Sequence, residues 1–219
     1  LLLRDEVSGK TRSEAIQEYK TLLRDHPQSP NARRAEWRIA DLYFEQGALQ
    51  EAQAFYENAM PHSVNLPFDS NRALLGLGYT FMAMGKWSDA AHAFASVRKR
   101  SEDEQLLQGA TLGLAHALFR EQRFSEAQPI YNLSYKRWPH LLRGDPLSLQ
   151  RYAVTQVKLH QEVSARELML LFYNLYPRHE YAPAALLHVA EGLRAGAKPT
   201  LAEFVYALIP SLYPYSALG

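Results

Sequence analysis

The chain has 219 residues, of which 47% are hydrophobic and 21% charged, a length and composition that support a folded core and exclude extensive disorder. Its 24 Lys and Arg against 23 Asp and Glu give a formal charge of +1, which excludes a strong global field favouring nucleic acid or an anionic membrane. It has no cysteine and no apolar run near the roughly 20 residues of a membrane span, which excludes disulfides, thiolate metal sites and a spanning helix.

The first predicted elements are helices bounded by proline and glycine. A helix over residues 11–26 ends at Pro27, after which Ser29 can cap a second helix and Pro30 suits its first turn. The stretch AEWRIADLYFEQG has apolar residues at helical spacing and closes at Gly47, and ALQEAQAFYENAM forms its partner. RALLGLGYTFMAMG and KWSDAAHAFASV repeat this pair. Each period therefore predicts a helical hairpin.

The second half of the chain departs from this pattern in two places. WPHLLRGDPLSLQRY, residues 138–152, lengthens the connection between the fourth and fifth hairpins with two prolines and a glycine, and we predict a kink there. The helices after it are strongly apolar, with rings at Phe172, Tyr173, Phe204 and Tyr206. This composition favours burial of the rings between repeats, and it makes the last hairpin a candidate for self-association.

An alanine followed four residues later by an aromatic recurs at intervals of 37 or 38 residues. The pairs are Ala15 with Tyr19, Ala52 with Tyr56, Ala90 with Phe94, Ala127 with Tyr131 and Ala202 with Tyr206, and Ala165 with Met169 keeps the interval. A second small residue lies twelve positions before five of these alanines, at Ala40, Gly78, Ala115, Ala153 and Ala190. The closing YPYSALG has the same place in its period as HPQSPNA near the start. Such a period predicts a repeat architecture.

These residues resemble the tetratricopeptide repeat family, whose signature places small residues at the eighth and twentieth positions and an aromatic at the twenty-fourth. The resemblance implies an all-α fold, a right-handed α-solenoid of stacked helix-turn-helix hairpins with about eleven helices. It also implies a single domain over residues 1–219. The repeats are expected at 1–29 (partial), 30–66, 67–104, 105–141, 142–179 and 180–219. Because neither end carries a polar capping helix, we expect the chain to be part of a longer one.

The repeats are longer than the family's usual period of about 34 residues, and a Y-P-x-S phrase joins them. Both features are similar to those of tetratricopeptide proteins of the bacterial cell envelope. Examples are the lipoprotein partner of the β-barrel assembly machinery and the periplasmic coordinator of the Tol-Pal system. The similarity implies a periplasmic or outer-membrane-associated location, with the cytoplasm as the alternative.

In the resembling family, the first helices of successive repeats line a concave groove that holds a segment of another protein. Its groove-facing positions are the second, fifth, ninth, twelfth and thirteenth. Carried onto this sequence, they predict the partner-binding residues Arg34, Trp37, Asp41, Phe44, Arg72, Tyr79, Met82, His116, Phe119 and Arg120. On this hypothesis the aromatics receive apolar side chains, and the arginines bind carboxylates or backbone carbonyls. The alternative is that several of these side chains pack in hairpin cores, since a shift of one position exchanges the two faces.

No pattern in the sequence indicates catalytic residues, a metal site or a cofactor. The eight histidines show no compact ligand spacing, and Gly9-Lys10-Thr11 lacks the earlier glycine of a phosphate-binding loop. We therefore predict a non-catalytic scaffold that binds another protein and not nucleic acid. Two other interpretations stay open: a non-catalytic repeat arm of a larger enzyme or of a secretion or polysaccharide-export protein, and a carbohydrate-binding surface.

Overall fold

The computed structural model describes residues 11–27, 29–62 and 67–216. In these ranges the chain forms twelve α-helices and no strand, which confirms the predicted all-α class. The helices are α1 Arg12–Asp25, α2 Pro30–Glu45, α3 Leu49–His62, α4 Pro67–Ala83, α5 Trp87–Arg100, α6 Glu104–Arg120, α7 Phe124–Arg137, α8 Pro139–Arg143, α9 Pro146–Lys158, α10 Glu162–Leu175, α11 Ala182–Ala195 and α12 Pro199–Leu212.

The chain divides into two compact units, Leu1–Ala117 and Leu118–Gly219, and the boundary falls inside α6. In the first unit α2 packs on α3, α3 on α4 and α4 on α5, and in the second unit α9 to α12 pack in chain order. The largest fully buried side chains include Ile39, Tyr56, Phe94 and Val97 in the first unit, and Tyr131, Leu142, Leu149, Met169 and Phe172 in the second. Each unit thus has a core of its own, and the single domain over residues 1–219 stays a prediction.

The turn inside a hairpin has the same backbone geometry in both units. One residue per turn has a positive φ. These residues are Gly47 and Gly85 in the first unit and Gln122, His160 and Ala197 in the second. The next residue closes the turn with its N–H, as Ala48 does by donating to the Tyr43 carbonyl at 2.9 Å. The predicted helix end at Gly47 is therefore confirmed.

Four helices end on a residue that precedes proline. These residues are His26, Trp138, Tyr176 and Tyr213. Their φ angles lie between −136° and −131°, because the proline ring excludes helical geometry from its predecessor. Two of them also tie adjacent repeats together: the Tyr176 hydroxyl donates to the Arg143 carbonyl at 2.5 Å, and the Tyr213 hydroxyl donates to the Pro177 carbonyl at 2.6 Å.

One helix more than expected, α8, lies in the stretch for which we predicted a kinked connection. Pro139–Arg143 forms the short helix α8 there, and the Gly144 N–H closes it by donating to the His140 carbonyl at 2.8 Å. Asp145 then caps α9 by accepting a hydrogen bond from the Ser148 N–H at 2.9 Å. The expected eleven helices are present, and α8 adds one.

Burial of the C-terminal rings is confirmed for Phe172 of α10, whereas Tyr173 and Tyr206 are half-buried and Phe204 of α12 is exposed. Phe172 is 0% exposed and contacts the rings of Tyr176 and Tyr181. Phe204 is 63% exposed, and the expectation of burial was wrong there, because the buried residues of α12 are Ala202 and Ile209 on its other side. Across the part of the chain that is described, no helix is both long and apolar enough to cross a bilayer.

Candidate interaction surfaces

A buried carboxylate links the first helices of two successive hairpins in the first unit. Asp41 on α2 is 8% exposed and accepts hydrogen bonds from two side chains. Arg72 Nη2, near the start of α4, donates to Asp41 Oδ2 at 2.7 Å, and the Tyr56 hydroxyl of α3 donates to Asp41 Oδ1. We call Asp41, Tyr56 and Arg72 the Asp41 network. Its three members come from three helices and fix those helices to one another.

Burial dominates the electrostatics of the Asp41 network. It raises the pKa of Asp41 above its ordinary value, although the Arg72 cation and the Tyr56 hydrogen bond both act to lower it. Burial also raises the pKa of Tyr56, and the nearby Asp41 carboxylate raises it further. The Tyr56 hydroxyl therefore keeps its proton at neutral pH and remains a donor to Asp41.

Trp37 lies beside the Asp41 network and is buried rather than open to a partner. The side chain is 5% exposed, and its indole Nε1 has no hydrogen-bond partner among the described residues. The guanidinium carbons of Arg38 and Arg72 lie 4.6 Å and 5.1 Å from the centre of the indole ring. The indole ring of Trp37 thus packs against two arginine side chains, and Arg72 contacts both this ring and the Asp41 carboxylate.

Two of the predicted groove residues of the first unit are exposed. The Arg34 side chain is 64% exposed, and its Nε lies 3.7 Å from the buried carboxylate of Asp69. Tyr79 is 39% exposed, its ring contacts Phe94 edge to face at 5.1 Å, and its hydroxyl donates to the Gly109 carbonyl at 3.3 Å. Both side chains are therefore positioned by the fold and are still partly exposed to solvent.

The remaining predicted residues of the first unit are half-buried, namely Phe44, Met82 and His116. The structure therefore brings Trp37, Asp41 and Arg72 into contact. Arg34 and Tyr79 differ from these three residues in being exposed. Sequence reasoning treated Tyr56 only as a packing aromatic and did not name Arg38. The signal that could have identified Tyr56 is its hydroxyl, since a buried tyrosine oxygen usually has a polar partner.

The second unit contains a cavity of about 450 Å³ at the end of α6, and two predicted groove residues line it. The lining residues are Phe119, Arg120, Gln122, Phe124, Val154 and Lys158. Phe119 and Phe124 meet edge to face at 5.6 Å across the turn between α6 and α7. We call this cavity the α6–α9 cavity, after the helices that supply Phe119 and Val154. Sequence reasoning named Phe119 and Arg120 but not the four other lining residues.

Residues suited to metal coordination do not cluster in the part of the chain that the structure describes. No group of three or more His, Asp or Glu side chains there is arranged to hold an ion. His188 on α11 lies beside a carboxylate, with its Nδ1 3.4 Å from Glu191 Oε2 on the same helix. Such a pair one helical turn apart is an ordinary surface contact.

Comparison with known proteins gives one family and a set of structural neighbours. The family model described as tetratricopeptide repeat matches residues 8–60 and 75–141, more than half of the chain. No curated protein matches the sequence.

The structural neighbours share the fold at low sequence identity. YrrB, described as a TPR protein with an unusual peptide-binding site, has a TM-score of 0.74 and 12% identity, with 93% of this chain and 96% of YrrB covered. MamA from Desulfovibrio magneticus RS-1 has a TM-score of 0.64 and 14% identity, with 94% and 99% covered. BtubC from P. vanneervenii has a TM-score of 0.64 and 14% identity, with 93% and 88% covered. At these identities the likeness shows the fold alone.

Proposed function

Because the chain belongs to the tetratricopeptide repeat family, we propose that it is a non-catalytic scaffold that binds an extended or helical segment of another protein. Protein partners are typical of this family, and a structural neighbour is described as having a peptide-binding site. In the first unit we assign the partner surface to α2 and α4. Arg34, Trp37 and Asp41 lie on one face of α2, since residues three and four positions apart share a helix face.

The observation that carries this proposal is the restraint on Arg72. Its side chain is 18% exposed and so is partly open to solvent, while the Asp41 carboxylate and the Trp37 ring hold its guanidinium. A cation that is already fixed loses little conformational entropy when it binds a carboxylate or a carbonyl. The restraint therefore favours recognition over a purely structural role for Arg72.

The predicted residues divide into two roles on this proposal. Arg34, Arg72 and Tyr79 contact the partner, because each of these side chains is at least partly exposed. Trp37 and Asp41 position Arg72 and do not themselves reach the partner, because both are more than nine-tenths buried. This division differs from the sequence hypothesis, in which Trp37 was an anchor for apolar side chains.

A peptide-display selection followed by matched variants tests the proposal. Peptides would be selected from a random library on the full chain, and their affinities measured by fluorescence anisotropy. Replacing Arg34 and Tyr79 together by alanine should weaken the selected peptides by about tenfold, which corresponds to ~1.4 kcal/mol. The control replaces His92 and Lys99 by alanine, because both lie exposed on α5 of the same unit, and it should leave affinity within about twofold.

The result against the proposal would be unchanged peptide affinity in the Arg34 and Tyr79 variant with its helical circular dichroism intact. If the double variant fails to fold, Arg34→Ala alone provides the readout, because the Arg34 side chain is 64% exposed. Binding of glycans but not of peptides by the wild-type chain would instead support the carbohydrate-binding interpretation.

We further propose a location in the bacterial cell envelope. Its support is the repeat length of 37 to 38 residues together with the Y-P-x-S phrase at residues 213–216, whose counterpart near the start is HPQS at residues 26–29. Fractionation of the source cells with an antibody against the chain tests this location. Recovery in the periplasmic or outer-membrane fraction is expected, and recovery in the cytoplasmic fraction would contradict it.

A further inference from the structure

The α6–α9 cavity combines an apolar wall with a positively charged rim. Phe119, Phe124 and Val154 supply the apolar wall, and Arg120 and Lys158 supply the charge. Its volume of about 450 Å³ lies within the range of roughly 300–1,000 Å³ that is typical of ligand-binding clefts. A cavity of this composition is suited to an apolar side chain that has a negative charge beside it.

The turn between α6 and α7 holds the apolar wall in place. Gln122 adopts a φ of 60°, and the following Arg123 N–H donates to the Leu118 carbonyl at 2.9 Å. This closure brings Phe124 back against Phe119, with the ring centres 5.6 Å apart. The two rings are therefore fixed by backbone geometry before any partner arrives, which lowers the entropic cost of binding.

No Asp or Glu is among the residues that line the cavity. The nearest acidic residues in the turn are Glu121 and Glu126, and both are engaged elsewhere. Arg123 Nη1 donates to Glu121 Oε2 at 2.9 Å, and Arg123 Nη2 donates to Glu126 Oε2 at 2.7 Å. Both glutamates thus hydrogen-bond to Arg123, which is not a lining residue.

Another cation of the second unit adds to the positive field. Arg151 on α9 is partly buried, and its pKa is lowered mainly by this burial, while the charge of Arg120 lowers it further. Arg120, Arg151 and Lys158 therefore concentrate positive charge on this part of the second unit. An anionic group placed at the rim gains from Arg120 and Lys158, which line the cavity, and more so at low ionic strength.

We propose that the α6–α9 cavity binds a partner protein through a short acidic segment, with an aromatic or leucine side chain in the cavity and adjacent carboxylates at Arg120 and Lys158. This inference rests on the proposed function and names the chemistry of the segment that would be bound at the second unit. Charge complementarity selects an acidic partner, and the ring pair selects a large apolar side chain. Nucleic acid also carries negative charge next to flat rings, but protein partners are typical of the family.

Three fluorescein-labelled peptides test the partner chemistry on the full chain. They share glycine flanks and differ in a central motif, which is Asp-Phe-Asp repeated twice, Asn-Phe-Asn repeated twice, or Asp-Ala-Asp repeated twice. The first should bind at least about tenfold more tightly than either of the others, and its affinity should fall as salt is added. No binding of the first peptide at about 1 mM, or equal binding of all three, would overturn the proposal.

Two matched charge reversals locate the site. Lys158→Glu should weaken the Asp-Phe-Asp peptide by about tenfold or more, because Lys158 lines the cavity. Lys136→Glu is the control, since Lys136 is exposed on α7 of the same unit and is not a lining residue, and it should change affinity by less than about twofold. Equal affinities in the two variants would overturn the assignment.

Two further measurements keep this inference separate from the proposed function. The variant with alanine at Arg34 and Tyr79 should bind the Asp-Phe-Asp peptide like the wild type, because neither residue lines the cavity. If display-selected peptides bind through Arg34 and Tyr79 while the Asp-Phe-Asp peptide fails, the proposed function stands and this inference is wrong. Tighter binding of oligo-dT than of the Asp-Phe-Asp peptide, abolished by Lys158→Glu, would also overturn it.

Discussion

The two units differ at the position of the repeat that, in the first unit, packs against the aromatic ring of the preceding hairpin's second helix. In the first unit the rings of Tyr56 and Phe94 lie on Gly76 and Gly113, and a Cβ built on Gly113 would come within 2.6 Å of the Phe94 ring. The second unit has Arg151 and His188 at the corresponding places, 37 or 38 residues further on in each step. There the residues at the ring position are Tyr131 and Met169, and both are 0% exposed.

The turns show the same contrast between the units. Gly47 and Gly85 adopt the positive φ in the first unit, whereas Gln122, His160 and Ala197 adopt it in the second. A side chain in this conformation costs roughly 1 kcal/mol relative to glycine. The same turn geometry therefore occurs in both units with different residues, and only the first unit has glycine both in the turn and against the ring.

The largest expected effect on stability is that of replacing Asp41, compared with replacing Val154, the residue at the corresponding repeat position in the second unit. Asp41→Ala should lower the free energy of unfolding by about 3 kcal/mol, because it removes the buried acceptor of the Tyr56 hydroxyl and the carboxylate that pairs with Arg72. Val154→Ala removes only two half-buried methyl groups and should cost about 1 kcal/mol. Urea unfolding of the full chain measures both values, and equal losses would remove the contrast between the two places.

A smaller effect is expected where glycine meets the ring. Gly113→Ala forces a methyl group against Phe94, which is fully buried and also confined by Gly78, and overpacking of this kind costs about 1–3 kcal/mol. The gain in helix propensity offsets about 1 kcal/mol of that cost. His188→Ala, at the corresponding place in the second unit, should change stability by less than about 0.5 kcal/mol.

A double-mutant cycle checks the cause of the Gly113→Ala effect. Adding Phe94→Leu to Gly113→Ala should cost less than Phe94→Leu alone, because the smaller side chain makes room for the new methyl group. Additive losses from Gly113→Ala and Phe94→Leu would show that the ring and the glycine do not act together.

The smallest expected effect is a pH dependence confined to the first unit. Burial raises the pKa of Asp41, so the folded state holds that proton more tightly than the unfolded chain does. The contribution of Asp41 to the free energy of unfolding is therefore greatest below about pH 4, the ordinary range of an aspartate, and it is lost as pH rises through the raised pKa.

Asp41→Asn removes this titration, so its stability relative to the wild type should increase from about pH 3.5 to about pH 7. Asp89→Asn, on the exposed first turn of α5, serves as the control. A constant difference between Asp41→Asn and the wild type across this range would contradict the expected linkage.

The sequence predicted those parts of the fold that depend on neighbouring residues. Pro27 excludes helical geometry from the residue before it, and Gly47 readily adopts the positive φ that follows the end of α2. The helix α8 has five residues, too short for propensity to predict, since short helices depend on tertiary packing. A positive φ at Gln122 could not be predicted either, because glutamine rarely adopts it.

The candidate sites depend on contacts that sequence spacing does not determine. Tyr56 and Arg72 lie 15 and 31 residues from Asp41, and the helix face that each presents depends on how three helices pack. Position in the repeat correctly placed Arg34 and Tyr79 on exposed surface, but it also placed Trp37 there, although Trp37 is buried beneath two arginines. Periodicity therefore identified a face, and packing decided which of its side chains reach solvent.

The ring and the glycine that receives it belong to different hairpins, and this determines where the chain could be divided. Phe94 is on α5, and Gly113 is on α6. Phe94 also lies against Gly78 of α4, which belongs to the same hairpin as α5. A cut on either side of α5 would therefore separate the Phe94 ring from a glycine on which it packs. Any attempt to shuffle, transplant or duplicate repeats in this part of the chain should keep α4, α5 and α6 together.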